Sequence, residues 1–393
     1  MITRIGSILI LCLYMLSCSN GSSGTVPNTA IPPGGIYQKL SAGTTHTCAI
    51  NPSSKLKCWG RNQFGQLGDG TTTDQSVSTL IDSVNTYTEI SAGDSHTCGI
   101  TTSGVLKCWG RNNSSQLGDG TTVDQLSPIV IDTGINYSKI SVSGSLSCGI
   151  TTSGVLKCWG LNAYGGLGDG TVINKTFPTV INPGTNYSVI ATGALHTCGI
   201  TTAGVLKCWG LNADGQLGDG TTANKTLPIV IDASSTYSKI AVSSFVLYHS
   251  CGITTLGVLK CWGNNNYGQI GDGTTGVARA VPVIISPGTN FSDISAGYVH
   301  SCAVVSGTGI LKCWGYNFFS QLGDYTSTTR TVPVQADTGY AYSKVVASNN
   351  YTCGLSTGSN LRCWGRNDYG QLGDGSIVDR YVPIGINSVS SDQ

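Results

Sequence analysis

The chain has 393 residues, 10% of them charged, with 21 Lys and Arg against 20 Asp and Glu. So even a balance leaves out the basic field on which nucleic-acid affinity depends. A hydrophobic content of 39% excludes a disordered chain, and 16 Cys call for a disulfide, metal or lipid explanation.

The first residues read as an address rather than as fold. Arg4 precedes an apolar run over 5–16 that is short for a membrane-spanning helix. The run ends Met15-Leu16-Ser17-Cys18 and continues Ser-Asn-Gly-Ser-Ser-Gly. This resembles a bacterial lipoprotein signal, with Met15 where such signals usually carry Leu. The resemblance implies cleavage before Cys18, a lipid on Cys18, and a lipid-anchored protein of the bacterial cell envelope, periplasmic or surface-exposed. A plain signal peptide cut within 17–24 is the alternative. Residues 1–17 are therefore expected as signal and 18–35 as a flexible tether rich in Ser, Gly, Pro, Thr and Asn. Without Arg4 the remainder carries 20 basic and 20 acidic residues.

Beyond the tether, Cys-Trp-Gly occurs seven times, starting at residues 58, 108, 158, 208, 261, 313 and 363. All seven Trp belong to it. A period near 50 signals a repeat array. Repeat two reads as strands over 86–92, 96–101 and 105–109 and a short fourth over 128–131, where Pro128 suits an edge. Four short antiparallel strands make a blade, and seven blades close a ring. The fold expected is an all-β, seven-bladed propeller over 36–386, with a tail at 387–393.

Folding repeat two about Ser103 sets Cys98 opposite Cys108, close enough for a disulfide in a non-hydrogen-bonded pair. The same reading pairs Cys48–Cys58, Cys148–Cys158, Cys198–Cys208, Cys251–Cys261, Cys302–Cys313 and Cys353–Cys363. Only Cys12 and Cys18 remain, both in the signal region. Metal binding through His-x-Cys is the rival, but no blade supplies a fourth ligand.

The pattern Gly-x-x-His-Thr-Cys-Gly-Ile, Gly-Val-Leu-Lys-Cys-Trp-Gly, Asn-x-x-Gly-Gln-Leu-Gly-Asp-Gly-Thr, then Pro, resembles the regulator of chromosome condensation repeat. The resemblance covers about 36–386 and implies a seven-bladed propeller. Nuclear members exchange nucleotide on a small GTPase, and some secreted members inhibit β-lactamases. The paired Cys depart from the nuclear pattern and are similar to extracytoplasmic members.

Repetition also explains the residues that could look catalytic. His46, His96, His196, His249 and His300 all stand two residues before a Cys, where the other repeats have Leu146 and Tyr351. Packed, hydrogen-bonded histidines are expected. Asp69, Asp119, Asp169, Asp219, Asp272, Asp324 and Asp374 each follow Leu-Gly or Ile-Gly and suit turn-fixing; calcium is the sharper alternative. With no phosphate loop, zinc motif or nucleophile elbow, the reading is a non-enzyme, without cofactor or metal.

The loops joining strands one to two and three to four must share one face, and there the repeats diverge. After Trp-Gly stand Arg61, Arg111, Leu161, Leu211, Asn264, Tyr316 and Arg366. In a closed ring Arg366, Arg61 and Arg111 would form an arc. The same loops carry Phe64, Tyr164, Tyr267, Phe318, Phe319 and Tyr369, and Arg with aromatics is hot-spot chemistry. Blade five adds three residues at Ser244-Phe245-Val246-Leu247-Tyr248, either an apolar anchor for a partner or a plug over the central channel. The expectation is a monomeric propeller binding a protein partner through this face. Carbohydrate binding is the alternative, and a hydrolase in the channel a distant third.

Overall fold

Short runs rich in Val, Ile and Tyr, separated by Gly-rich turns, favour antiparallel strands over helices. The computed structural model describes residues 35–244 and 248–386. There the strands form seven four-stranded antiparallel sheets, each with its strands in sequence order. Blades one to seven cover 39–81, 87–130, 137–180, 187–230, 237–284, 291–335 and 342–385. The signal, Cys12, Cys18, the tether to residue 34, Phe245, Val246, Leu247 and the tail lie outside the described residues.

Repeat two forms Tyr87–Ala92, His96–Thr101, Leu106–Gly110 and Gln125–Val130. The fourth strand starts three residues earlier than expected. Its register shifts between Cys108, paired with Ile129, and Gly110, paired with Gln125. Pro128 falls within that irregular stretch, opposite Trp109, where the ladder needs no N–H from it.

The core is seven interblade clusters rather than one. Trp109 of blade two packs with Leu67, Ile81 and the Cys48–Cys58 pair of blade one. Its indole N–H donates to the carbonyl of Gln66 at 3.0 Å. A repeat cannot bury this face alone, so neighbours stabilise each other. Blade three carries Gly166 where others carry Gln, and the Trp209 indole N–H has no partner among the described residues. The Gly of Leu-Gly-Asp lies beneath each of these indoles. Gly118 has φ +79°, and a Cβ there would meet Trp159 Cδ1 at 2.7 Å. Gly118→Ala is expected to cost about 3 kcal/mol through strain and overpacking, read by urea denaturation. An unchanged midpoint would contradict this packing.

The ring closes with the same Trp packing and indole bond that join the other blade pairs, apart from blades three and four, where no indole bond forms among the described residues. Trp59 packs with Leu361 and Leu372 of blade seven and donates to the carbonyl of Gln371 at 3.0 Å. Ile36 bridges Asn360 just as Val105 bridges Asn136. Tyr351, standing in the His position, donates its phenol to the Gly43 carbonyl across the seam at 2.8 Å. On the opposite face Lys107 reaches Asp82 at 2.7 Å, Lys157 reaches Asp132 at 2.6 Å, and Lys260 reaches Asp232 at 2.6 Å, each tying one blade to the one before.

All seven expected Cys pairs are bonded across the second and third strands, with Cα atoms 4.1 Å apart. This density points to an oxidising environment outside the cytosol.

Candidate functional site

The loop face is built from backbone first. The residue after each Trp-Gly donates its N–H to the first-to-second loop of its own blade: Arg61 to Thr45 at 2.9 Å, Arg111 to Ser95 at 2.8 Å, Arg366 to Asn350 at 2.9 Å. Both loops therefore share one face, as alternation of strand direction requires. The side chains then reach back over the preceding blade. Arg111 lies over the Phe64 ring at 4.6 Å, Arg61 over Tyr369 at 4.6 Å, and Arg366 over Phe319 at 5.4 Å. Phe319 meets Phe318 edge-on at 5.3 Å, and Tyr316 meets both Phe318 at 6.4 Å and Tyr267 of blade five at 5.0 Å. A cluster of rings over blades five and six thus continues as alternating cations and rings over blades seven, one and two, forming one arc.

Phe318 is 66% exposed and Tyr267 40% exposed, while the three Arg are half-buried against their rings. Arg366 also pairs with the Asp368 carboxylate. Arg61 donates to Gln63, and neither it nor Arg111 has a carboxylate partner among the described residues. Stacking fixes these guanidiniums while leaving their charge unneutralised.

Two expected site residues fall outside the arc. Tyr164 is exposed, but blades three and four place Leu161 and Leu211 where Arg would continue the series. Tyr248 is turned inward, 8% exposed, with its ring edge on His196 at 5.8 Å. Only 8% of it is left to offer a partner, because its ring packs on buried His196.

The histidines join blades. His46 Nε2 meets Thr97 Oγ1 at 2.8 Å, His96 meets Ser147 at 2.9 Å, and His300 meets Thr352 at 2.9 Å, all buried. Each of those hydroxyls donates to a carbonyl of the preceding blade, as Thr97 does to Gln66 at 2.7 Å. The hydroxyl is therefore the acceptor and Nε2 carries the proton. Burial lowers His46, His96, His196 and His300 to about 3. The Leu-Gly-Asp carboxylates hold turns. Asp69 accepts from Thr71 N at 2.9 Å and from Asn62 Nδ2 at 3.0 Å. In blades three to seven a Lys or Arg of the fourth strand pairs with this Asp, as Lys175 does with Asp169 at 2.9 Å. No group of three or more His, Cys, Asp or Glu among the described residues is arranged to hold a metal ion.

Sequence reasoning left the channel unread. Its wall carries Lys39 and Lys139, both on Glu89 at 3.2 and 2.8 Å, and Lys239 and Lys344, both on Asp293 at 2.7 and 3.7 Å. At the loop-face end a cavity of about 140 Å³ is lined by first strands and their loops from all seven blades. The signal was available two residues after the Tyr or Phe that opens each first-strand pattern, where the series runs Lys39, Glu89, Lys139, Val189, Lys239, Asp293 and Lys344 instead of repeating.

Seven consecutive blades around a polar channel, one face repetitive and the other divergent, define a repeat propeller that presents a loop surface. The profiles of the regulator of chromosome condensation (RCC1) repeat match residues 37–66, 87–116, 188–216, 241–269, 291–321 and 342–371, and in a second form 58–100, 204–253, 257–304 and 362–392. The chain belongs to this family. It is 36% identical over 88 residues to the human protein named probable E3 ubiquitin-protein ligase HERC4, covering 22% of this chain and 8% of that one. The chain thus spans under a tenth of the length of the curated relatives it matches. Among solved structures, human WBSCR16 superposes with TM-score 0.75 at 20% identity, covering 85% of this chain and 94% of its own. Prp20p of Saccharomyces cerevisiae, studied for its binding to Gsp1p and histones, superposes with TM-score 0.75 at 17% identity over 91% and 88%. The ectodomain of the Arabidopsis thaliana receptor kinase ACR4 does so with TM-score 0.53 at 20% identity over 84% and 96%. At these identities the likeness is one of fold.

Proposed function

We propose that this chain is a non-enzymatic binding propeller that recognises a protein partner through the Arg-aromatic arc, tethered to a bacterial envelope membrane by a lipid on Cys18. The observation that carries the reading is the arc itself. Arg and aromatic side chains, held by stacking and half-exposed, occur where the repeat sequence diverges, and such residues dominate interface energetics. Two of the three guanidiniums lack a carboxylate, so the partner surface is expected to be acidic. The disulfides agree with an extracytoplasmic setting, and the solved structure of Prp20p concerns a family fold that binds proteins.

The test begins with crosslinking in native membranes to recover a partner, followed by affinity measurement on purified components. Arg61→Glu/Arg111→Glu/Arg366→Glu is expected to weaken that partner at least a hundredfold, since hot-spot Arg are each worth about 2 kcal/mol, while the melting temperature holds. Unchanged affinity would remove the arc from recognition. Carbohydrate binding is the second reading, favoured by the exposed rings of Tyr267 and Phe318. Saturable binding on a glycan array, lost in Tyr267→Ala/Phe318→Ala, would replace the protein-partner reading.

A further inference from the structure

At the loop-face mouth of the channel the repeats place Thr44, Asp94, Gly144, Ala194, Ser244, Tyr298 and Asn349 in equivalent positions, so Asp94 is a single carboxylate in a ring of uncharged residues. It lines the axial cavity of about 140 Å³, whose other walls are small side chains and hydroxyls with no basic residue among them. Thr44 Oγ1 donates to Asp94 Oδ1 at 2.8 Å. Burial pushes the Asp94 carboxyl up, partly offset by hydrogen bonds from Thr44 and the Gly144 backbone. The Tyr248 phenol of blade five lies near enough to feel the Asp94 charge. A second observation is independent of Asp94. Ser143 lines the same cavity, is 4% exposed, and its hydroxyl has no hydrogen-bond partner among the described residues. Buried hydroxyls are normally satisfied, so an unsatisfied one in a cavity wall leaves hydrogen-bonding capacity that a bound group can use.

We propose that this mouth of the channel is a binding site for a primary ammonium group carried on an alkyl stem. An ammonium offers three donors and one positive charge. The Asp94 carboxylate supplies the charge and one acceptor, and the hydroxyls of Ser143 and Thr44 supply the others. The Ala and Val side chains of the first strands pack the stem. A metal cation fits less well, because one carboxylate without a clustered acid is a poor hard-cation cage. The site is separate from the Arg-aromatic arc and does not rest on the protein-partner reading.

The test is calorimetric titration of the full chain with two probes, n-butylammonium and Nα-acetyl-lysinamide. Saturable one-to-one binding near the millimolar range is expected, about what five heavy atoms can supply. Tighter binding of the lysine probe assigns the site to a lysine presented by a partner, and tighter binding of butylammonium to a free alkylamine. Asp94→Asn is expected to lose at least tenfold in affinity. Ser143→Ala is the safer variant, since its hydroxyl bonds to no group among the described residues; it is expected to keep the melting temperature and lose several-fold. The triple Arg variant is expected to bind both probes unchanged. Absence of saturable binding, equal affinity in Ser143→Ala and Asp94→Asn, or equally effective competition by potassium ion would overturn the proposal.

Discussion

Between pH 6.5 and 4 the protein is expected to lose stability at about 5 kcal/mol per pH unit, from four histidines alone. In the folded ring His46, His96, His196 and His300 titrate at about 3 instead of 6.5. Each stays neutral while the unfolded chain takes up a proton, so the stability is fully present above pH 6.5 and drains as pH falls toward 3. The geometry explains the shift. Nε2 already donates to a hydroxyl that is itself committed to a carbonyl. Nδ1 of His46 faces Gly43 so closely that a Cβ on that glycine would lie 2.8 Å away. A second proton, on Nδ1, would find no acceptor among the described residues. Blade three shows the control, with Leu146 in the same place. His96→Leu should therefore fold and flatten the slope by about 1.4 kcal/mol per pH unit, as read from urea midpoints across this range. Identical slopes in the two proteins would sink the argument. A second acid-sensitive window lies lower. Burial opposes ionisation of Asp232, but hydrogen bonds from Lys260, Tyr237, Ser234 and Ser235 outweigh it and bring it to about 2. That contribution is present above pH 4 and is lost as pH falls through 2.

Removing one disulfide is expected to cost about 3 kcal/mol, and reducing all seven to abolish the ring. Each bond closes a loop of ten or eleven residues. Chain entropy alone gives about 2.7 kcal/mol for such a loop. The double variant Cys98→Ala/Cys108→Ala also leaves space in the cluster beneath Trp159, which adds to the loss. The effects will not sum across the ring, because neighbouring blades share clusters. All fourteen sulfurs are fully buried, so reductant cannot reach them in the folded state. Resistance to dithiothreitol in buffer, with rapid reduction in urea, is the expected pattern. Full reduction without urea would mean that blades open independently.

Much of this was legible because repetition prints itself on a sequence. The Cys-Trp-Gly period, the hairpin folded at Ser103 and the paired Cys follow from local turn chemistry and from the alternation of strand sides, and both act within a dozen residues. The Arg arc was legible as position, because ring order makes blade seven the neighbour of blade one. That the arginines stack on Tyr369, Phe64 and Phe319 was not, since it depends on how far each loop leans over the blade before it. Tyr248 shows the same limit: an aromatic closing an insertion on a variable face could point out or in, and packing against His196 turned the Tyr248 ring in.

The sequence by itself determined the strand pairing, the blade count and the disulfides, because these are set by contacts between residues close along the chain. Only the tertiary structure decided what lies between blades and along the axis: the His-hydroxyl-carbonyl relays, the Lys-Asp ties, the arc, and the cavity that sets Asp94 apart. Between blades those contacts join residues from 25 to 54 positions apart or across the seam, and no local pattern encodes which side chains the curvature of a closed ring brings together.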